Sequence, residues 1–360
     1  MVSALISILV LGCLVIVHEA GHLVVARLAG VRILRFSIGF GPRLLTWTRG
    51  YTEYAVSAIP LGGYVKMAGE QRSEQSHEPW EYLSKPISVR ALIVFAGPFV
   101  NYLAAVLSLW VVFVLGYPEL LPVVGKTTAG MPAEAAGLTT GDRIAEVNGQ
   151  PVATWDEMTE IIYDSAEKPL TFIISRGTES RSVTITPTPK TITDPLGHER
   201  RVGLIGVSPS GEFESRRLGP VESFTRTITQ QNEWAVQTMV GLWSVVTGKL
   251  SMRDSVTGPI GIVYLTSEAA RMGIVPLLFL TSLFSLSLAI FNLFPIPILD
   301  GGHLFFMAIE QLRGRPVSIN VQERSAQVSF VLLMTLVAII CVNDVSRFGL
   351  LDKVMKLFGK

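Results

Sequence analysis

The sequence predicts a polytopic α-helical membrane protein with four transmembrane helices, a membrane-associated β-hairpin region and one inserted α+β domain. Three observations carry this. Of 360 residues, 49% are hydrophobic and only 16% charged, against about 25% charged in an ordinary soluble domain. Four stretches, about 2–26, 91–116, 274–291 and 328–342, are apolar over lengths near the ~20 residues a bilayer requires. Between the second and third, the chain turns polar and rich in Gly, Pro and Thr, with short alternating runs.

Taken in order, residues 1–117 form a first membrane half. Its first span lacks a basic leader and a small-residue cleavage site, so it reads as a retained helix. The region 33–70 follows, where Tyr51–Ala58 and Gly63–Met67 read as short strands separated by Ile59-Pro60-Leu61-Gly62. That pattern predicts a hairpin, with Pro60 at a turn or edge. In 118–212, Thr171-Phe172-Ile173-Ile174 and Ser182-Val183-Thr184-Ile185 read as strands, and Asn148-Gly149 as a type I′ turn. Short helices are predicted at Ala133–Gly137 and Trp155–Ser165.

Residues 213–273 form a connector, where Val236, Met239, Val240, Trp243 and Val246 mark an amphipathic helix. Residues 274–346 form a second membrane half. The tail 347–360 sets Arg347, Lys353, Lys356 and Lys360 against Leu350, Leu351, Val354, Leu357 and Phe358, a helix for the membrane surface.

Arg32, Arg35, Arg43, Arg49, Lys66, Arg72, Lys85 and Arg90 after the first span, and Arg313, Arg315 and Arg324 after the third, place both segments in the cytoplasm by the positive-inside rule. The inserted domain is then extracytoplasmic, although four spans also put the basic tail outside. A net charge of +1 without a dense basic cluster argues against nucleic-acid binding. Two cysteines, Cys13 and Cys341, exclude a disulfide framework or Cys-rich zinc module.

The chemistry concentrates in the first span, at His18-Glu19-Ala20-Gly21-His22. A charge at mid-bilayer costs roughly 2.5–3.5 kcal/mol on insertion scales, so such a cluster is retained for use. Histidines four apart share one helix face and can reach one Zn²⁺, with Glu19 beside the open position. A third ligand is needed. The break Asn292–His303 after the third span offers Asp300 or His303, and spacing leaves both open. Gly301 and Gly302 would let backbone approach the metal. His77 and His198 lie in polar loops and read as solvated.

These residues resemble the site-2 protease family of intramembrane zinc metalloproteases, in its bacterial branch, over nearly the whole chain. His18-Glu19-x-x-His22 is similar to its zinc motif. Asn292-x-x-Pro295-x-Pro297-x-Leu299-Asp300-Gly301 is similar to its second signature, in which the aspartate is the third ligand. Gly39-Phe40-Gly41-Pro42 and Ile59–Met67 resemble its membrane-associated β-region, and Gly97-Pro98-x-x-Asn101 its second-helix motif. The insert resembles a bacterial PDZ domain through Ala133-x-x-Ala136-Gly137-Leu138-x-x-Gly141-Asp142-Arg143-Ile144. Enterobacterial relatives carry two tandem PDZ domains, and this chain has room for one.

The resemblance implies one zinc ion on His18, His22 and Asp300, with Glu19 as general base. It implies substrate contacts at Asn292, Pro295 and Pro297 and, on the hairpin, at Tyr54 and Val56. The expected substrates are single-span membrane proteins, such as anti-sigma factors or signal-peptide remnants. The expected location is the bacterial inner membrane, in contact with lipid, with the active site toward the cytoplasm. The competing readings are an inactive scaffold that binds peptides through the PDZ-like domain, and a metal transporter. Intact Glu19 opposes the first. Against the second, spans two and four offer few polar side chains beyond Asn101 and Asn343-Asp344.

Overall fold

A computed structural model describes residues 2–177, 179–193, 199–251 and 256–347. His198 and, apart from Arg347, the expected amphipathic tail lie outside the described residues. The chain divides into two units: 1–111, 224–238 and 252–360 form one, and 112–223 and 239–251 the other.

The first unit opens with α1 (Val2–Leu28). β1 (Ile33–Arg49) and β2 (Thr52–Met67) follow as an antiparallel pair, and then α2 (Ile87–Leu115). The two strand-like runs at 51–58 and 63–67 are thus one strand, and the hairpin joins it to β1 through Gly50, which has φ 63°. β1 lies in the β-region expected at 33–70, where the sequence reading delimited strands only at 51–58 and 63–67, and it contains Gly39-Phe40-Gly41-Pro42. There Gly39 has φ 87°, and a Cβ on it would stand 2.5 Å from Ile59 O, so the irregularity is accommodated within the pair. The start of β1 is paired twice: Arg35 lies opposite both Lys66 and Glu53, and Phe36 opposite both Val65 and Tyr54.

α1 and α2 approach closely at Gly21, where a Cβ would stand 2.5 Å from Ala96 O. Leu23, Ala26, Phe36, Ile93 and Met307 bury together where the helices meet the strands.

In the second unit, β3 (Tyr117–Leu120) pairs with β12 (Phe213–Arg216), and β4 (Val124–Thr127) with β11 (Val207–Pro209). A four-stranded sheet runs in the order β6 (Gln150–Pro151), β5 (Arg143–Val147), β7 (Leu170–Arg176), β8 (Glu179–Ile185). β9 (Thr188–Thr193) pairs with β10 (Glu199–Leu204). Asn148 and Gly149 take φ 51° and 75°, as a type I′ turn requires. α3 (Pro132–Ala135) and α4 (Trp155–Tyr163) are the two short helices, the second opened by a Thr154–Glu157 capping box. Val124, Ile144, Val147, Met158, Phe172 and Ile174 fill the core. Buried Asp142 accepts two bonds from Arg176, at 2.7 and 2.8 Å, and one from Thr139 N at 2.8 Å. The Arg176 guanidinium draws the carboxyl below its ordinary range.

α5 (Pro220–Val246) carries the expected stripe, but facing outward. Val236, Met239, Trp243 and Val246 are 50–78% exposed, while Thr227 and Gln231 are fully buried. Gln231 Nε2 donates to Ala105 O at 3.1 Å and Ser282 Oγ at 2.7 Å. A helix with its polar side inward and its apolar side outward suits hydrocarbon surroundings.

The first unit is completed by α6 (Pro259–Met272), α7 (Ile274–Asn292), α8 (Asp300–Arg313) and α9 (Ile319–Arg347). Among the described residues, four helical stretches are long and apolar enough to span a bilayer: Leu5–Leu28, Ile87–Leu115, Ile274–Asn292 and Ile319–Ser346. The fourth helix begins nine residues before the apolar run, because polar turns around Gln322 and Glu323 extend it. None of its apolar window is buried. Near its far end, buried Asp344 accepts from Gly258 N at 3.1 Å and Gly261 N at 2.8 Å, capping the amino end of α6.

Candidate metal centre

His18 and His22 stand one turn apart on α1 with their rings edge to face, centroids 4.8 Å apart. Asp300 is the first residue of α8. The residues between, Leu293–Leu299, fold back over the start of that helix. A Cβ on Gly301 would overlap Phe294 O, and one on Gly302 would overlap Ile296 O. The two glycines therefore admit the loop's own carbonyls, a different use from the close approach to metal expected of them. Their packing sets the direction in which the Asp300 side chain leaves the helix.

Asp300 Oδ2 lies 3.0 Å from His18 Nε2 and 3.5 Å from His22 Nε2, and the two Nε2 atoms are 3.2 Å apart. Four ligands at ~2.0–2.1 Å around a tetrahedral zinc ion have edges of about 3.3 Å. The donor triangle fits that spacing. Both histidines are over nine-tenths buried. Two imidazole nitrogens and a carboxylate are a zinc donor set, and the three meet from opposite ends of the chain.

The far ring nitrogens are held from α2. His22 Nδ1 donates to Ile93 O at 2.8 Å, leaving its Nε2 lone pair directed at Asp300. His18 Nδ1 lies 3.3 Å from the Asn101 amide nitrogen, while Asn101 Oδ1 is buried without a partner. Turning that amide about exchanges two near-isosteric atoms. It gives Oδ1 the His18 Nδ1–H and frees the second Nε2 in the same way. Gly97 faces the rings from the same helix, and a Cβ there would overlap His22 Nε2.

These donors open on a cavity of about 760 Å³ that Glu19, Tyr64, Met67, Asn292, His303 and Glu323 also line. Glu19 is close to β2, since a Cβ on Gly63 would stand 3.4 Å from its Cγ. At the cavity wall Arg90 and Glu310 form an ion pair at 2.6 Å, with side chains 10% and 18% exposed.

Residues 6–336 match the model of peptidase family M50. The chain belongs to that family. It is a zinc metalloendopeptidase of the site-2 protease type. Regulator of sigma-E protease RseP of Salmonella typhimurium is 30% identical over 94% of this chain and 97% of its own length. Zinc metalloprotease RasP of Geobacillus kaustophilus is 29% identical over 97% of this chain and 99% of its own, and Protease RseP of Yersinia pestis 31% over 94% and 97%. The Salmonella alignment runs over 444 positions against 360 residues here, so that relative carries insertions this M50 chain lacks. Among solved structures, the PDZ domain of an SdrC-like protein from Listeria monocytogenes aligns with 26% of this chain and 88% of that one, at 21% identity and TM-score 0.20. That score adds nothing to what the strands themselves show.

Of the site residues expected in this M50 chain, His18, His22 and Asp300 come together, and Glu19 and Asn292 line the same cavity. His303 lines it too, but stands outside the donor cluster, and burial pushes its imidazole below the ordinary range. Pro295 and Pro297 are not in the cavity lining. Tyr54 and Val56 are not either. Each lies between two other strand segments, and the Tyr54 hydroxyl accepts from Arg27 at 2.6 Å. The hairpin reaches the cavity instead through Tyr64, Val65 and Met67. Sequence reasoning also missed the functions of Gly97 and the Ile93 carbonyl. The Gly-Pro-x-x-Asn pattern marked the helix but not the direction each residue takes.

Proposed function

We propose that the chain hydrolyses a peptide bond within or beside the transmembrane segment of single-span membrane proteins, using one zinc ion on His18, His22 and Asp300. The carrying observation is that Asp300 of α8 converges on His18 and His22, beside Glu19, on an apolar helix long enough to span a bilayer. When bound, zinc supplies Lewis-acid polarisation of the scissile carbonyl and lowers the pKa of water at the site. Glu19 accepts the proton of the attacking water and returns it to the leaving amine. Ile93 O and Asn101 hold the imidazoles in the tautomers that face the centre. The polar cavity wall, with Gln71, Ser73, Gln322 and Glu323, admits water to a site otherwise walled by apolar helices.

A transmembrane helix hides its carbonyls in internal hydrogen bonds, so the substrate must unwind before it is cut. The Gly63–Met67 segment is paired with β1 along one edge, and its open edge is suited to take the unwound chain as an added strand. Asn292 is within the cavity to bond freed backbone groups, whose loss is costly away from water.

The basic segments at 32–90 and 313–324 favour the inner membrane with the site toward the cytoplasm. The insert at 118–212 is then an extracytoplasmic PDZ-like domain that screens substrates by size, admitting those whose outer domain has been removed. Anti-sigma factors and signal-peptide remnants are substrates of that form, and a relative named for sigma-E regulation supports the first.

The test is Glu19→Gln in protein purified in detergent, with zinc measured beside cleavage of a tagged single-span peptide. Cleavage should be lost with zinc retained. Proteolysis at the normal rate in that variant refutes the general-base role.

A further inference from the structure

A second cavity, about 360 Å³, lies at the C-terminal end of α1. Arg27, Arg32 and Arg49 line it together with Tyr51, Thr52 and Trp80. Its volume falls in the range of small-ligand sites, roughly 300–1,000 Å³.

Two of the three guanidiniums, those of Arg27 and Arg32, are held by neutral partners. Arg27 Nη2 donates to Thr52 Oγ1 at 3.0 Å and to the Tyr54 hydroxyl at 2.6 Å. Arg32 Cζ stands 3.8 Å from the Trp80 ring centroid and 4.4 Å from that of Tyr51. Stacking of this kind fixes the guanidinium while leaving its N–H edge for an acceptor. Arg49 ends β1 and is exposed. Among the described residues, none of the three has a carboxylate partner. The neighbouring carboxylate, Glu53, is already taken by Arg35 at 2.9 Å and Arg43 at 2.7 Å. Lys85 does not line the cavity but adds charge beside it, its Nζ 3.6 Å from where a Cβ on the lining residue Gly30 would be. Like charges around one small space repel one another until an anion joins them. Several full charges outweigh the partial negative charge at the end of α1.

The position of the cavity says what kind of anion. Arg27 is in the last turn of a membrane-spanning helix. Trp and Tyr are the rings that favour the membrane–water boundary. Along α1, next to Arg27, Val24 is 52% and Leu28 83% exposed, an apolar track leading from the cavity toward the hydrocarbon. We propose that Arg27, Arg32 and Arg49, walled by Tyr51 and Trp80, bind the phosphate of an anionic phospholipid whose acyl chains lie along Val24 and Leu28.

The experiment uses the full-length chain in detergent micelles, with retained lipid read by native mass spectrometry. The probes are phosphatidylglycerol, phosphatidylcholine and inorganic phosphate. The wild type should retain phosphatidylglycerol about a hundredfold over phosphatidylcholine, and millimolar phosphate should fail to displace it. Arg27→Gln/Arg32→Gln/Arg49→Gln should bring the preference near unity, at about fivefold per guanidinium. Should the triple variant fold poorly, judged by its thermal midpoint and zinc content, Arg49→Gln alone should cost about fivefold. Arg271→Gln removes an exposed charge elsewhere and should leave the preference unchanged. Equal retention of the two lipids by the wild type overturns the proposal. So does an Arg271→Gln loss equal to that of Arg49→Gln, or displacement of the lipid by phosphate alone.

Discussion

Replacing Gly97 by alanine puts one methyl group against the metal centre, its three nearest atoms all belonging to the His22 and His18 rings. Built on the present backbone, that methyl overlaps His22 Nε2 and stands 2.8 Å from His18 Cε1. Carbon atoms rest about 3.5–4.0 Å apart, so the rings must retreat by roughly 0.7–1.2 Å. Metal–ligand distances tolerate about 0.2 Å. The rings have no easy retreat, because Ile93 O holds His22 Nδ1 at 2.8 Å and Asn101 lies 3.3 Å from His18 Nδ1. Zinc affinity should fall at least as far as loss of a supporting bond brings it, about 10- to 100-fold, and cleavage with it. The assay is titration of metal-stripped protein against a chromophoric chelator, beside thermal unfolding without metal. The unfolding midpoint should hardly change, since the methyl meets donor rings before any packed apolar side chain. Wild-type zinc affinity in Gly97→Ala would refute the placement of α2 against the histidines.

Asn101→Leu removes the partner of His18 Nδ1 and should weaken zinc binding about 10- to 100-fold, read by the same titration, with Asn101→Gln no full substitute. Arg90→Met leaves half-buried Glu310 without its partner at the cavity wall and should cost about 1–3 kcal/mol in thermal stability, most of it recovered in Arg90→Met/Glu310→Met. A double variant no better than the single would mean the pair adds no coupling. The Asp142 carboxyl titrates lower in the folded chain than unfolded, so its pairing stabilises above the unfolded value near 3.9 and is lost as pH falls through the folded one. Asp142→Asn should therefore speed hydrogen exchange in β7 at pH 7, by about 2 kcal/mol for a buried carboxylate's charged bonds, with wild type and variant converging at low pH.

The sequence made the histidine pair legible because four residues are one helical turn, a local rule. For the third ligand it put Asp300 first, with His303 as a competitor that spacing alone did not exclude, since no local rule spans the distance between α1 and α8. The structure separates them through Gly301 and Gly302, whose packing against loop carbonyls directs Asp300 toward the rings. The same limit left β1 without bounds inside the β-region expected at 33–70. Its glycine-rich stretch is an irregular strand, because pairing with β2 satisfies backbone that local propensity leaves open. α5 shows a different limit. Periodicity revealed the stripe at Val236, Met239, Trp243 and Val246, but periodicity is blind to which medium lies on either side. Buried Gln231 and exposed Trp243 settle the direction.

The bond from Asp344 to the α6 amino end leaves the last helix stepped like a mast, fixed at its foot and bare along its length. From Asp344 back to Ile319 is about 25 residues, or ~38 Å of lever arm. A lean of 5° at the foot carries the opposite tip about 3 Å, roughly the breadth of one water molecule. Ile319, Gln322 and Glu323 sit at that tip and border the catalytic chamber. The part of the chamber wall farthest from its anchor is thus the part that a small lean at the foot moves most.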